Sequence, residues 1–310
     1  MENLFYHLSM RQNKMRLDYI SLSKLKIYAD LVKIQHTLFA LPFAYAGAFM
    51  AARGIPSLRI MLLIFIAFIG LRTASMALNN LIDREIDAIN PRTSDRPLPS
   101  GNISIQEVYG IIVISILAYE MAAYFINRTT FLLSPIPVIT AIVYPYLKRY
   151  TSLSHYVLGL ALAYAPLGGW VAVTNSFRPL SSELPPLMIA LGVMFWVAGF
   201  DIIYSIQDRD FDINHSLHSI PADFGIKKGL VISALSHLFT IIFFALTLWV
   251  FPFNRVFLTG LVIISCLLVT EHWIVRPGNV EKKHIQVAFF NLNAMVSFIM
   301  LLSIFLDLIL

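Results

Sequence analysis

Residues 58–87 read LRIMLLIFIAFIGLRTASMALNNLIDREID. From Leu58 to about Asn80 the run is apolar apart from two arginines and a few small polar residues. A helix needs roughly 20 such residues to cross about 30 Å of hydrocarbon, so this stretch is long enough to span a bilayer. The character then changes within a turn. Asn79, Asp83 and Asp87 recur at i, i+4 and i+8 and form one polar stripe on a helix, from which Glu85 points away.

The rest of the chain repeats the apolar theme. Stretches at about 35–52, 58–80, 107–126, 130–147, 154–175, 184–207, 229–250, 256–274 and 285–309 qualify as spans, nine in all. Of the 310 residues, 58% are hydrophobic and 13% charged, where a soluble domain is nearer half and a quarter. That balance excludes disorder, a disulfide scaffold and a conventional soluble enzyme. The expected fold class is all-α, a polytopic membrane bundle with cytoplasmic cap loops. The single cysteine, Cys266, permits no intrachain disulfide. The net charge of +5 invites a nucleic-acid reading, but the excess of Lys and Arg in cytoplasmic loops explains it without one.

Orientation follows from where the cations fall. With the N-terminus inside, 17 of the 23 Lys and Arg residues lie on the cytoplasmic side, and five (Arg53, Arg59, Arg128, Arg178 and Arg255) on the other. The expected organisation is a basic cytoplasmic segment, 1–34, without a removable signal peptide, then one membrane domain, 35–310. Its halves, 58–175 and 184–309, read as a possible repeat. Two connections, 81–106 and 208–228, are long and polar, face the cytoplasm and hold much of the acid.

The second of these begins within Asp201-Ile202-Ile203-Tyr204-Ser205-Ile206-Gln207-Asp208-Arg209-Asp210-Phe211-Asp212. Asp201, Asp208 and Asp212 share a helical face. A shift of 125 positions maps Asp83 onto Asp208, Asp87 onto Asp212 and Asn79 onto Tyr204. Aligned carboxylates repel one another unless a cation joins them. Mg²⁺ takes oxygen ligands and is usually held by one or two carboxylates plus substrate phosphate. Two acid stripes at one membrane surface suit two or more Mg²⁺ ions around a diphosphate. The bland alternative for either stripe alone is a solvated helix end. Arg72, inside an apolar run, is a functional candidate or a structural partner for Asp201. Tyr144 and Lys148 are spaced i, i+4, with Arg149 next, at the cytoplasmic end of the fourth span; an ordinary positive-inside anchor is the alternative there.

These residues resemble a known family. Asn79, Asp83 and Asp87 followed by Asn90-Pro91-Arg92-Thr93 and Arg96-Pro97-Leu98-Pro99-Ser100-Gly101 resemble the first signature of UbiA-type intramembrane prenyltransferases. Asp201 through Tyr204 with Asp208 and Asp212 resemble the second, and Tyr144-Pro145-Tyr146-Leu147-Lys148-Arg149 resembles the family's Y-x-x-x-K-R segment. The resemblance implies a nine-helix bundle around a central cavity, and transfer of a polyprenyl group from its diphosphate to an acceptor. It implies Asn79, Asp83, Asp87, Asp208 and Asp212 as Mg²⁺ ligands. Arg72, Lys148 and Arg149 would hold the diphosphate, with Tyr144, Tyr204 and Asp201 beside them. Many members carry Asp where this chain has Asn80, a position off the stripe. The segments 33–43 and 217–225 look most like 4-hydroxybenzoate polyprenyltransferases, especially a branch serving menaquinone. His36 and His218 lie in these segments, with an interfacial histidine and a loop cap as their plain readings.

The expected partners are therefore a polyprenyl diphosphate, an aromatic acid acceptor and membrane lipid, with no nucleic acid. The expected location is the cell (inner) membrane, with the site near its cytoplasmic face. Three competing readings remain: a UbiA-type enzyme with another acceptor (haem, chlorophyllide or a glycerol-ether lipid), an ion-coupled transporter, and a structural membrane subunit. A transporter's acids belong near the bilayer midplane, whereas these cluster at span ends.

Overall fold

A computed structural model of the protein describes residue 24 and residues 26–33, 40–178 and 183–310. Arg11, Lys14, Arg16 and His36 lie outside the described residues. Among those described the chain is helical, with one isolated bridge between Arg276 and Asn279. In order the helices are α1 (26–32), α2 (Leu41–Ala52), α3 (Leu58–Ile82), α4 (Arg84–Ile89), α5 (Ile105–Ile126) and α6 (Arg128–Leu133). Next come α7 (Pro135–Leu147), α8 (Ser154–Thr174), α9 (Leu184–Ser205), α10 (Arg209–Asn214) and α11 (Ile220–Phe224). The last are α12 (Ile226–Val250), α13 (Arg255–Ile274), α14 (Lys282–Gln286) and α15 (Asn293–Ile309). Among the described residues eight segments are long and apolar enough to cross a membrane, and α2 lies within the first expected span.

Two expected spans are interrupted. The fourth is built from α6 and α7, broken at Ser134 ahead of Pro135. The ninth carries a π turn at Val287–Leu292, where the carbonyls of Ala288 and Phe289 accept hydrogen bonds from the Asn293 side-chain amide. The two long polar connections are likewise more structured than loops. α4 fills the start of the first, and α10 and α11 fill much of the second.

α3 lies along α5 and touches α7, while α9 sits between α8 and α12; α2 crosses α8, and α13 packs on α15. The main core gathers Phe43, Trp196, Phe244, Phe257, Ile264 and Met300 from five helices. Small residues set a close crossing. A Cβ on Gly47 or Gly169 would collide with the carbonyl oxygens of Pro166 and Ala44, so α2 and α8 meet backbone to backbone. The outward faces remain apolar, with Leu62, Ile66, Ile114, Leu117 and Trp249 exposed, as a surface solvated by lipid requires. The helix ends near the acid stripes are closed by local chemistry. Ser104 and Glu107 form a capping box at the start of α5, which gives Glu107 a structural role. Asn80 donates to the Leu31 carbonyl and ties α1 to α3, so part of the expected basic tail is packed helix.

Candidate active site

The helix carrying the first stripe ends where the acids begin. Asp83 caps α3, and α4 restarts one residue later. The helical spacing survives the break: the Asp83 amide bonds to the Asn79 carbonyl at 3.0 Å, and the Asp87 amide to the Asp83 carbonyl at 2.7 Å. The second stripe bends in the same way. Asp201 lies on α9, Asp208 on a 3-10 turn at Ile206–Asp208, and Asp212 on α10. Asn79, Asp83, Asp87, Asp201, Tyr204, Asp208 and Asp212 all line one polar cavity of about 200 Å³, together with Tyr144 and Lys148.

Cations interleave with these acids. Lys148 Nζ is 2.7 Å from Asp83 Oδ2, and Arg96 Nη1 is 2.6 Å from Asp87 Oδ2. Arg92 grips Asp208 with Nε at 2.6 Å and Nη2 at 2.5 Å, and donates through Nη1 to the Tyr204 hydroxyl at 3.0 Å. Such a two-pronged bond uses the planar guanidinium fully. The Asn90 amide adds a bond to Asp208 at 3.1 Å, and Asn79 donates to Asp83 Oδ2 at 2.9 Å. Phe289 of the π turn stacks on the Tyr204 ring, with centroids 4.2 Å apart. Ser219 donates to Asp212 at 2.8 Å.

Burial pushes the Asp83 carboxyl above its ordinary range, and Lys148 opposes that shift. Burial also brings the Lys33 ammonium at the end of α1 down to about 7, with Arg96 and Arg92 pushing the same way. Two expected residues sit apart from the polar cavity. Arg149 donates to the Ile82 carbonyl at 2.9 Å and stands 3.6 Å from Asp83 Oδ1, so it closes the C-terminal end of α3. Arg72 lines a second cavity and pairs with no acid among the described residues; Asp201 is bonded to His155 instead. Residues outside the expected set also line the polar cavity, among them Asn90, Arg92, Arg96, His155 and Ser219.

The second cavity, of about 230 Å³, is apolar and is walled by Ile64, Phe68, Leu133, Ala161 and Leu162 among others. Tyr144 and Leu158 border both cavities. A charged chamber thus shares the Tyr144 and Leu158 walls with a greasy one, which Arg72 also lines. No three His, Cys, Asp or Glu side chains among the described residues form a ready metal site. The donors nevertheless suit a hard cation that shares its shell with phosphate and water. They are carboxylates in two separate pairs, and Asp83 Oδ1 is buried without a hydrogen bond.

Residues 40–294 match the model of the UbiA prenyltransferase family. The chain belongs to that family. It is therefore an enzyme, a prenyltransferase of the UbiA fold. A 4-hydroxybenzoate octaprenyltransferase from Aliivibrio salmonicida is 28% identical over 285 residues, covering 90% of this chain and 96% of the relative. A UbiA homologue from Aeropyrum pernix K1 superimposes with a TM-score of 0.80 at 35% identity, covering 88% of this chain and 98% of that one. A UbiA homologue from Archaeoglobus fulgidus, bound to GPP and Mg²⁺, superimposes with a TM-score of 0.69 at 23% identity, covering 90% and 99%.

Proposed function

We propose that this UbiA enzyme moves a polyprenyl group from its diphosphate to an aromatic acid of the 4-hydroxybenzoate class, as a step in making a membrane quinone. The observation that carries the reading is the pairing of chambers, one of interleaved acids and cations and one apolar, joined at Tyr144 and Leu158. A prenyl diphosphate has this same division. The relatives named 4-hydroxybenzoate octaprenyltransferase support the acceptor, and the Archaeoglobus homologue bound to GPP and Mg²⁺ supports the donor and the ion.

The diphosphate enters the polar chamber and draws on Lys148, Arg92 and Arg96, which are already held in place by acids. Asp83, Asp87, Asp208 and Asp212, with Asn79, would hold Mg²⁺, which when bound offsets charge on the departing diphosphate. Arg72 and Tyr144 then lie beside the bond that breaks, where a fixed cation favours the leaving anion. The apolar walls keep water from the allylic carbon, and the prenyl tail lies along them. The acceptor ring's electron pair forms the new carbon–carbon bond as the carbon–oxygen bond breaks toward diphosphate. Asp201, which pairs with no Lys or Arg among the described residues, takes the ring proton. The site faces the cytoplasm and the protein resides in the cell membrane, on the strength of the basic residues around it.

The test is incubation of purified enzyme with Mg²⁺, a defined prenyl diphosphate and a panel of acceptors, with products weighed by mass spectrometry. A prenylated 4-hydroxybenzoate supports the reading. A product on haem, chlorophyllide or a glycerol ether, and none on an aromatic acid, overturns the acceptor assignment.

A further inference from the structure

His155 carries no role in the reading above, yet it lines the polar cavity and is bonded to an acid of the second stripe. It is the second residue of α8, 4% exposed, and its Nδ1 lies 2.7 Å from Asp201 Oδ2. On its other side the backbone N–H of Ile220 donates to Nε2 at 3.2 Å. An N–H requires a lone pair to receive it, so Nε2 bears no hydrogen. Nδ1 therefore carries the proton and donates it to Asp201. The ring is neutral and both of its nitrogens are committed, so it does not shuttle protons itself.

The segment that fixes the ring also reaches the rest of the site. Three successive residues are tied down: the His218 amide to the Lys148 carbonyl at 2.7 Å, the Ser219 hydroxyl to Asp212 at 2.8 Å, and the Ile220 amide to His155. Lys148 is in turn the partner of Asp83. One short strap thus links the cation of the first stripe to two acids of the second.

We propose that His155 is a positioning residue. It holds one Asp201 oxygen so that the other faces the acceptor ring, and the Ile220 amide sets the tautomer that makes this possible. The inference rests on the prenyl-transfer reading. After the carbon–carbon bond forms, the ring carbon's proton passes to the free Asp201 oxygen and the C–H electron pair restores the aromatic ring. Asp201 then returns the proton to solvent.

The test separates the two bonds of His155. His155→Asn places an amide near the former Nδ1 and keeps a donor for Asp201. His155→Gln reaches the former Nε2 and keeps an acceptor for Ile220, but releases Asp201. His155→Gln is expected to lower kcat by about 10- to 100-fold with the KM for prenyl diphosphate little changed, the range of a misplaced proton acceptor. His155→Asn is expected to stay within about threefold of wild type, and His155→Gln to add nothing in an Asp201→Asn background. Ile220→Pro offers an independent route if His155→Gln does not fold. It removes the donor at the first position of α11, where proline is tolerated, after a Ser219 that is already extended at ψ 157. This variant should also lower kcat. Wild-type kcat in His155→Gln or Ile220→Pro overturns the proposal. So does an Asn variant as slow as the Gln variant, or losses that multiply in the double variant. Failure of the wild-type enzyme to prenylate any acceptor would instead sink the prenyl-transfer reading.

Discussion

Replacing Arg92 by alanine removes three hydrogen bonds at once, two to Asp208 and one to the Tyr204 hydroxyl. The side chains of the pair are 22% and 16% exposed. That places the ion pair between an exposed one, worth about 0–1 kcal/mol, and a fully buried one, whose rupture costs about 3–5 kcal/mol. A loss of about 2 kcal/mol is expected, because Asn90 still donates to Asp208 and some water can enter. In a thermal melt of the detergent-solubilised enzyme this corresponds to a fall of about 5 °C. Mg²⁺ alone should recover more of the loss in the variant than it adds to wild type, because Asp208 has been freed for it. Arg92→Lys should rescue the melt only in part, since an ammonium cannot span both carboxylate oxygens and the tyrosine. A variant melting with wild type, or a lysine that restores stability fully, would refute the reasoning.

Three further outcomes follow from other residues. Lys148→Met leaves Asp83 buried without its main cation, so its already raised carboxyl rises further; transfer should fall about 100-fold and recover in part as the pH is raised, as the carboxylate re-forms. Product assays across a pH series check the direction. Gly168 lines the apolar chamber, and a Cβ there would meet open space, so Gly168→Phe should fold but abolish use of long prenyl diphosphates while sparing dimethylallyl diphosphate in a donor series. Between about pH 7 and 10.5 an unfolded Lys33 holds a proton that the native one has lost, so stability should rise with pH through that window. Melts of wild type should show the rise, and Lys33→Met should flatten it.

The spans and both acid stripes were legible because each is a local pattern. Hydrophobic runs declare themselves by length, and Asn79, Asp83 and Asp87 by a spacing that the chain preserves even through a helix break. Asn80 reads correctly as off the stripe; it is buried and bonded to the Leu31 and Met76 carbonyls. Residues whose partners are distant in sequence were not legible. Arg92 meets Asp208 across 116 positions and His155 meets Asp201 across 46, and no periodicity encodes such a pairing. The polar run after the first stripe was the available signal for Arg92 and Arg96, and it surfaced through family resemblance instead. For His155 the sequence offered none. Arg72 as a partner for Asp201 was a fair local guess that the fold answers differently, since a histidine reaches that acid first.

The central claim, that the paired chambers are built to split a prenyl diphosphate and hand its chain to an aromatic acid, is tested most directly by one product mass. Purified enzyme in lipid, given geranyl diphosphate, 4-hydroxybenzoate and Mg²⁺, should yield geranylated 4-hydroxybenzoate and free diphosphate. Asp83→Asn should yield neither while eluting and melting as a folded protein. Full product from Asp83→Asn would contradict the account.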